Sequence, residues 1–175
     1  MQSVTLYGKK FVLYLSQGQI QTVISILADF LNAEPQDGVP IFLVILNGAM
    51  IFAGDLLKQI SFDCELATME VSSYKGTASK DLVIKSGPSC DVAGRKVYVV
   101  EDIIDTGKTI EAVSAWLTKA GAKDIEVVAL FAKGPEAAEK GARIGFEIED
   151  KFIVGYGLDY DGLGRNLPMV YQLVD

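Results

Sequence analysis

Three acidic side chains and a glycine-centred turn stand side by side in the middle of the chain. The acids are Glu101, Asp102 and Asp105. The turn consists of Asp105, Thr106, Gly107, Lys108 and Thr109. Backbone N–H groups around a glycine can converge on an anion at a helix N-terminus, and the hydroxyls and the lysine add donors. The adjacent carboxylates suit vicinal sugar hydroxyls or a Mg²⁺ ion. Together these preferences match the phosphate and the sugar hydroxyls of a ribose 5-phosphate.

This stretch can also be interpreted as purely structural, without a ligand. A strand followed by a capped helix would place Asp105 or Thr106 at the N-cap, where the side-chain oxygen accepts a backbone N–H bond. A single acidic residue would favour that interpretation. Three acids leading into a Thr-Gly-Lys-Thr turn favour a binding site instead.

A buried strand and a helix are predicted to hold these residues. The sequence Val-Tyr-Val-Val at 97–100 is a continuous run of β-branched and aromatic side chains. Such a run is typical of a strand buried on both faces of a parallel sheet. A helix is predicted from Ile110 to Ala120. The acids then lie at the carboxyl end of the strand, where open α/β sheets bind ligands.

Two other predicted strands end in residues that could contact a ligand. The apolar runs at 41–46 and 125–132 are followed by Asn47-Gly48 and by Lys133, respectively. The backbone at Gly48 could contact a second anion, although a tight turn that requires glycine explains this residue about as well. Lys133 either faces the pocket or extends its amine to solvent.

One helix in the amino-terminal part of the chain is predicted to serve packing. Residues 4–15 are consistent with one or two edge strands, and Ser16 is predicted to cap a helix that runs to about Asn32. Apolar residues at helical spacing predict one buried stripe on this helix. They are Ile20, Val23, Ile24, Leu27, Phe30 and Leu31.

Composition limits the possible functions of this 175-residue chain. It contains no histidine, which excludes serine-type triads, histidine bases and histidine-ligated zinc. A net charge of −7 argues against a nucleic-acid partner, because clustered Lys and Arg bind phosphate backbones. No uncharged stretch reaches the ~20 residues of a membrane span, and no signal-peptide pattern is present, so no membrane partner and a cytoplasmic location are expected.

Four stretches of the chain resemble one protein family. The sequence Val-Val-Glu-Asp-Ile-Ile-Asp-Thr-Gly-Lys-Thr at 99–109 is similar to the phosphoribosyl pyrophosphate signature of type I phosphoribosyltransferases, in the form found in hypoxanthine-guanine enzymes. Val-Ser-Ser-Tyr at 71–74 resembles the start of the family's flexible lid, and residues 150–160 resemble its purine-binding hood. Asn47-Gly48 matches a loop that usually contains Leu-Lys-Gly or Leu-Arg-Gly and carries a cis peptide. The motifs occur in the expected order.

The resemblance implies roles on the phosphate side of the site. Asn47, Gly48 and Arg165 would bind pyrophosphate. Ser73 and Tyr74 would belong to a lid that closes over the reaction centre. A basic side chain is common in the family where Asn47 stands, but the contacts expected there are largely main-chain.

The resemblance also implies roles on the purine side. Lys133 would bind the exocyclic oxygen of a 6-oxopurine, Phe152 would stack on the base, and the Ile153 main chain would contact its edge. Asp159 would lie in the same pocket and bind Mg²⁺. The Glu101-Asp102 pair could also bind this ion.

The fold implied by the resemblance is an α/β fold, the type I phosphoribosyltransferase fold, with a central parallel sheet flanked by helices. Residues 1–175 would form a single domain. A small hood would come from the N-terminal segment and residues from about 146 to 175. The resemblance also implies a homodimer or homotetramer.

The implied reaction is Mg²⁺-dependent transfer of a 5-phosphoribosyl group from phosphoribosyl pyrophosphate to N9 of hypoxanthine or guanine. The products would be IMP or GMP and pyrophosphate. Asp105 would serve as general base and acid at N7, since a chain without histidine offers no better base. Two alternatives stay open: an enzyme that also accepts xanthine, and a non-catalytic regulator that senses phosphoribosyl pyrophosphate.

Overall fold

The computed structural model describes residues 2–73, 82–134 and 142–174. It has ten strands and three helices within these ranges. In chain order they are β1 (Ser3–Leu6), β2 (Lys9–Leu15), α1 (Gln17–Asn32), β3 (Ile41–Leu46), α2 (Met50–Leu57), β4 (Glu65–Ser73), β5 (Leu82–Ser86), β6 (Lys96–Ile104), α3 (Lys108–Lys119), β7 (Asp124–Lys133), β8 (Arg143–Ile148), β9 (Ile153–Val154) and β10 (Val170–Leu173). No helix among these is long and apolar enough to cross a membrane.

A six-stranded sheet forms the centre of the fold, with the order β5-β4-β3-β6-β7-β8. The five strands from β4 to β8 in that order pair in parallel, and β5 runs antiparallel to β4 at one edge. The predicted central parallel sheet is therefore confirmed. Its middle is formed by β3, β6 and β7, the strands with the longest continuous apolar runs.

Both faces of the central strands are covered, which explains why their sequences do not alternate with polar residues. Phe42 and Val44 of β3 pack with α1 and α2 on one face. Leu43 and Ile45 of the same strand pack on the other face, in the core that includes α3. Helices therefore cover the sheet on both sides, and the carboxyl ends of β3, β6 and β7 remain to form a site.

A second, antiparallel sheet has the strand order β1-β2-β10-β9. This sheet and the loop that joins β9 to β10 form the hood. It has a small core of its own around Phe11, Val154 and Tyr171. Residues 146–148, which the sequence analysis grouped with the hood, belong to β8 at the edge of the large sheet. Their strand pairing with β7 is a long-range contact that no local pattern marks.

The buried stripe of α1 differs from its prediction at Phe30 and Ala28, and Val23 is only partly buried. Ser16 caps the helix in a reciprocal capping box with Gln19, as expected for its start. Phe30, however, is 59% exposed, and Ala28 is buried instead. Successive helical residues are 100° apart, so Phe30 lies about 80° from the centre of the stripe, on the solvent flank. The small side chain of Ala28 occupies the opposite flank, against the sheet.

Substitutions at Leu27 and Phe30 of α1 should differ in their effect on the free energy of unfolding. We expect Leu27→Ala to lower the free energy of unfolding by about 2–5 kcal/mol, because it opens a cavity in the core. Phe30→Ala should cost about 1 kcal/mol or less, since the exposed ring buries little surface. Urea denaturation of both variants measures the difference. Equal losses would show that Phe30 is buried in solution.

Candidate active site

The large sheet and the hood enclose a cavity of about 570 Å³ at the carboxyl ends of β3, β6 and β7. Eleven residues singled out from the sequence line it together. They are Asn47, Gly48, Glu101, Asp102, Asp105, Thr109, Lys133, Phe152, Ile153, Asp159 and Arg165. The topology thus brings residues from three of the four resembling stretches, together with Lys133 and Arg165, to one site.

A smaller recess of about 70 Å³ adjoins this cavity at the start of α3. It is lined by Glu101 and by a continuous run from Ile103 to Ile110, which includes Thr106, Gly107 and Lys108. The N-cap of α3 is Gly107, with φ +75° and no side-chain cap. The interpretation of Asp105 or Thr106 as a plain N-cap is therefore wrong.

The absence of a side-chain cap on α3 leaves a place for an anion. The first helical bond of α3 runs from the Glu111 N–H to the Gly107 carbonyl, at 3.0 Å. The N–H groups that precede it in the first turn have no helical acceptor, so they can converge on a ligand. Glycine is required at 107 because other residues rarely adopt this left-handed backbone conformation. This geometry suits an anion such as phosphate.

The acidic pair lies within β6, which continues to Ile104 and not only to Val100 as predicted. Pairing with β3 ends at Val100, whereas pairing with β7 continues to Ile104. Glu101 and Asp102 therefore stand on a part of the strand that has lost one neighbour. The Asp102 N–H donates to Glu101 Oε1 at 3.2 Å.

Glu101 is a buried carboxyl, only 6% exposed. Burial, together with the neighbouring Asp102 carboxylate, raises its pKa well above the ordinary value. Within residues 2–73, 82–134 and 142–174, no lysine or arginine forms an ion pair with either acid. A bound cation would favour the ionised form of this pair.

The loop after β3 lies against the acidic pair. The Leu46–Asn47 peptide bond is cis. A Cβ at position 48 would overlap the Asp102 carboxylate, and a Cβ at position 157 would overlap the Gly48 carbonyl. Glycine is needed at both positions so that the loop fits between β6 and the hood.

Lys133 at the end of β7 lies at the cavity and does not extend freely to solvent. Its amine is 2.9 Å from Asp150 Oδ1 and 3.9 Å from Asp105 Oδ2. The side chain of Asp105 is 63% exposed and faces the cavity. Sequence reasoning did not single out Asp150, because its contact with Lys133 joins two different strand ends.

The hood supplies aromatic and basic groups to the cavity. The ring of Phe152 is 45% exposed and packs edge-on against Tyr160. Ile153 beside it is buried. Lys151 also lines the cavity and pairs with Glu149 at 2.9 Å. It was missed in the sequence, where a lysine before an aromatic residue carries no distinctive signal.

Arg165 and Asp159 pair with each other at the mouth of the hood. The Arg165 guanidinium contacts Asp159 Oδ1 at 2.6 Å and donates to the Gly157 carbonyl at 2.6 Å. The other Asp159 oxygen accepts the Gly162 N–H at 2.7 Å. In the described parts of the chain, no three acidic or cysteine side chains form a group able to hold a metal. The predicted metal ligands therefore do not form one preassembled cage.

The predicted lid is only partly within the described structure. Ser73 is the last residue of β4, and Val71 on the same strand lines the cavity. Tyr74 lies outside the described residues. The backbone of β4 thus leads directly from the cavity wall to the predicted lid.

The fold and the site together are those of phosphoribosyl transfer. Residues 14–161 match the phosphoribosyl transferase domain. The chain belongs to the phosphoribosyltransferase family.

Two relatives and one solved structure show which phosphoribosyltransferases the chain is similar to. The chain is 38% identical over 160 residues to the hypoxanthine-guanine phosphoribosyltransferase of Bacillus subtilis, covering 89% of each chain. It is 37% identical to the hypoxanthine-guanine-xanthine phosphoribosyltransferase of Tritrichomonas foetus, covering 91% of this chain and 88% of the relative. A crystal structure of a Staphylococcus aureus hypoxanthine phosphoribosyltransferase superimposes with a TM-score of 0.85 at 30% identity, covering 93% of this chain and 90% of the other.

The raised pKa of Glu101 predicts a pH-dependent cost in stability. The unfolded chain releases this proton at a lower pH than the folded protein, so stability falls as pH rises from the unfolded value to the folded one. Glu101→Gln removes this cost. In metal-free buffer we expect it to raise the free energy of unfolding at pH 8, with almost no gain near pH 4.

Urea denaturation of the variant and wild type at both pH values measures this effect. Glu147→Gln is the matched control, because Glu147 is an exposed carboxyl on β8 of the same sheet. It should change stability little at either pH. A Glu101→Gln protein that is less stable than wild type at pH 8 would contradict the prediction.

Proposed function

We propose that the protein is a purine salvage enzyme that transfers a 5-phosphoribosyl group from phosphoribosyl pyrophosphate to N9 of hypoxanthine or guanine. The single observation that carries this proposal is the cavity, which joins a helix N-terminus without a side-chain cap, an acidic pair and an exposed aromatic ring. Such a cavity suits a phosphate, a ribose and a planar base, placed in that order along it. The names of the relatives agree with this reaction.

The sugar phosphate would lie along β6 and the start of α3. Its 5′-phosphate would occupy the recess at residues 106–109, where backbone N–H groups and the Lys108 amine supply donors. The ribose hydroxyls would donate to Glu101 and Asp102, since ionised carboxylates accept hydrogen bonds. Pyrophosphate would lie between the Asn47–Gly48 loop and Arg165.

A Mg²⁺ ion fits the acidic groups that face the cavity. This ion usually takes one or two carboxylates and completes its shell with water and substrate oxygens, so a preassembled cage is not required. Glu101 and Asp102 would hold it on the ribose side, and Asp159 would approach it from the hood once its contact with Arg165 rearranges. Bound Mg²⁺ would neutralise charge on the leaving pyrophosphate.

The purine would lie between the end of β7 and the hood. Phe152 offers an exposed ring face for stacking, and the Lys133 amine is available to the 6-oxo group. The backbone of Ile153 would contact the edge of the base. A lysine favours a purine that carries an oxygen at C6 over adenine, whose amino group is a donor.

Asp105 is the proposed acid–base group. As N9 forms its bond to the sugar, pyrophosphate leaves with the electron pair of the breaking C–O bond, and the proton on N7 passes to the Asp105 carboxylate. The Asn47–Gly48 loop and Arg165 would stabilise charge on the leaving group. Closure of the proposed Ser73–Tyr74 lid would exclude water from the oxocarbenium-like sugar.

The proposal also covers the cellular location and the oligomeric state of the protein. A net charge of −7 and the absence of a basic cluster in the sequence argue for small-molecule substrates and against nucleic acid. We propose a cytoplasmic homodimer or homotetramer, on the basis of the family resemblance described above.

A base-competition assay tests the reaction. Purified protein, Mg²⁺ and phosphoribosyl pyrophosphate are offered hypoxanthine, guanine, xanthine or adenine separately, and nucleotide and pyrophosphate are quantified. We expect turnover of hypoxanthine and guanine. Turnover of xanthine would extend the base range, as in the name of the T. foetus relative. Binding of phosphoribosyl pyrophosphate without turnover of any base would favour a sensing regulator.

Asp105→Asn tests the acid–base role. We expect kcat to fall by about 10²–10⁴-fold, because the amide cannot accept the N7 proton, while phosphoribosyl pyrophosphate still binds. Asp37→Asn is the control, since Asp37 is an exposed carboxylate that precedes β3, at the other end of the sheet. Steady-state kinetics and calorimetric binding separate the two effects. Unchanged turnover would remove Asp105 from the mechanism.

A further inference from the structure

A buried tyrosine joins the hood to α1 and α2. The Tyr156 hydroxyl, on a side chain only 3% exposed, donates to Asp55 Oδ2 on α2. Gln21 of α1 donates to the same carboxylate oxygen at 2.8 Å and to the tyrosine oxygen at 3.2 Å. Lys58 donates to the second Asp55 oxygen at 2.6 Å. One phenol oxygen thus connects three elements that are far apart in the sequence.

The charge states of this cluster favour a strong hydrogen bond. Burial opposes ionisation of Asp55, but hydrogen bonds from Lys58, Tyr156 and Gln21 lower its pKa overall. Burial and the Asp55 carboxylate raise the pKa of Tyr156. The cluster therefore pairs a neutral donor with a charged acceptor, which is stronger than a pair of neutral groups.

The backbone around Tyr156 lies against the pyrophosphate side of the cavity. Tyr156 has φ +51°, and the glycines on either side, Gly155 and Gly157, have φ +101° and +99°. The α-carbon of Gly157 packs on the Gly48 carbonyl, and the Gly157 carbonyl accepts the Arg165 guanidinium. A non-glycine residue rarely adopts positive φ, so surrounding contacts must hold this turn.

We propose that the Tyr156–Asp55 hydrogen bond positions the pyrophosphate-binding groups, by holding Gly157 against Gly48 and thereby fixing Arg165. Tyr156 is a positioning residue, since it acts through its backbone neighbour and not by contact with substrate. The inference rests on the proposed function, because it takes pyrophosphate as the ligand of these groups.

Nucleotide binding should not depend on this hydrogen bond. The phosphate recess belongs to α3, which packs in the core on the opposite face of the sheet from α1 and α2. Ile153 on the purine side is held in addition by the pairing of β9 with β10, which does not involve the Tyr156 hydroxyl. Loss of the bond should therefore weaken pyrophosphate binding selectively.

Tyr156→Phe removes the hydroxyl and keeps the buried ring. We expect the Kd of pyrophosphate with Mg²⁺, measured by titration calorimetry, to rise about 3- to 10-fold, and the KM of phosphoribosyl pyrophosphate to rise in parallel. The Kd of IMP should change by less than about twofold.

Three further substitutions complete the experiment. Tyr98→Phe is the matched control, because the buried Tyr98 donates to Glu34 at 2.9 Å in a different network. It should lose comparable stability with unchanged Kd values. Asp55→Asn keeps an acceptor oxygen for Tyr156 and should raise the pyrophosphate Kd less than Asp55→Ala.

The outcomes separate this inference from the proposed function. Wild-type pyrophosphate affinity in Tyr156→Phe would overturn the positioning role. So would an equal rise in Kd in Tyr98→Phe, or an equal loss of IMP binding in Tyr156→Phe. A wild-type protein that binds neither pyrophosphate nor IMP would overturn the proposed function instead.

Discussion

The packing of Gly48 between the Asp102 side chain of β6 and the hood backbone at Gly157 is the constraint on which the site depends. Gly48 lies against the Asp102 carboxylate of β6, and Gly157 of the hood lies against the Gly48 carbonyl. No side chain fits into either contact. A larger residue at 157 would push the hood away from the Gly48 carbonyl, and one at 48 would displace the Asp102 carboxylate. The cavity exists because glycine at both positions lets the sheet, the loop and the hood meet directly.

The two cores of the large sheet offset the unfavourable features of this site. Burying a carboxyl beside another one is costly, and Glu101 is such a group. The strands that present it are buried on both faces, under α1 and α2 on one side and α3 on the other. Apolar burial of this kind stabilises the fold sufficiently to retain strained or poorly solvated groups where a ligand binds.

The sequence predicted the central elements well because their signals are local. Continuous apolar runs identified β3 and β7 to within one residue, and the acids and glycine turn located the start of α3 to within two. The predictions were less accurate where a neighbour in space decides the outcome. Pairing with β7 extends β6 to Ile104, and the position of the sheet leaves Phe30 of α1 exposed. Hydrophobicity alone does not reveal either contact.

The sequence by itself determined the strand–turn–helix units and the chemical groups that each one carries, because turn geometry and strand burial depend on neighbouring residues. Tertiary structure alone decided which groups meet. It brought Lys133 to Asp150, Arg165 to Asp159, and Tyr156 to Asp55, which lies 101 residues away in the chain. Tyr156 reaches Asp55 only after the hood packs on α2, whereas Arg165 and Asp159 meet within the hood itself. Long-range partners are fixed by the packing of whole layers, which no local pattern of residues encodes.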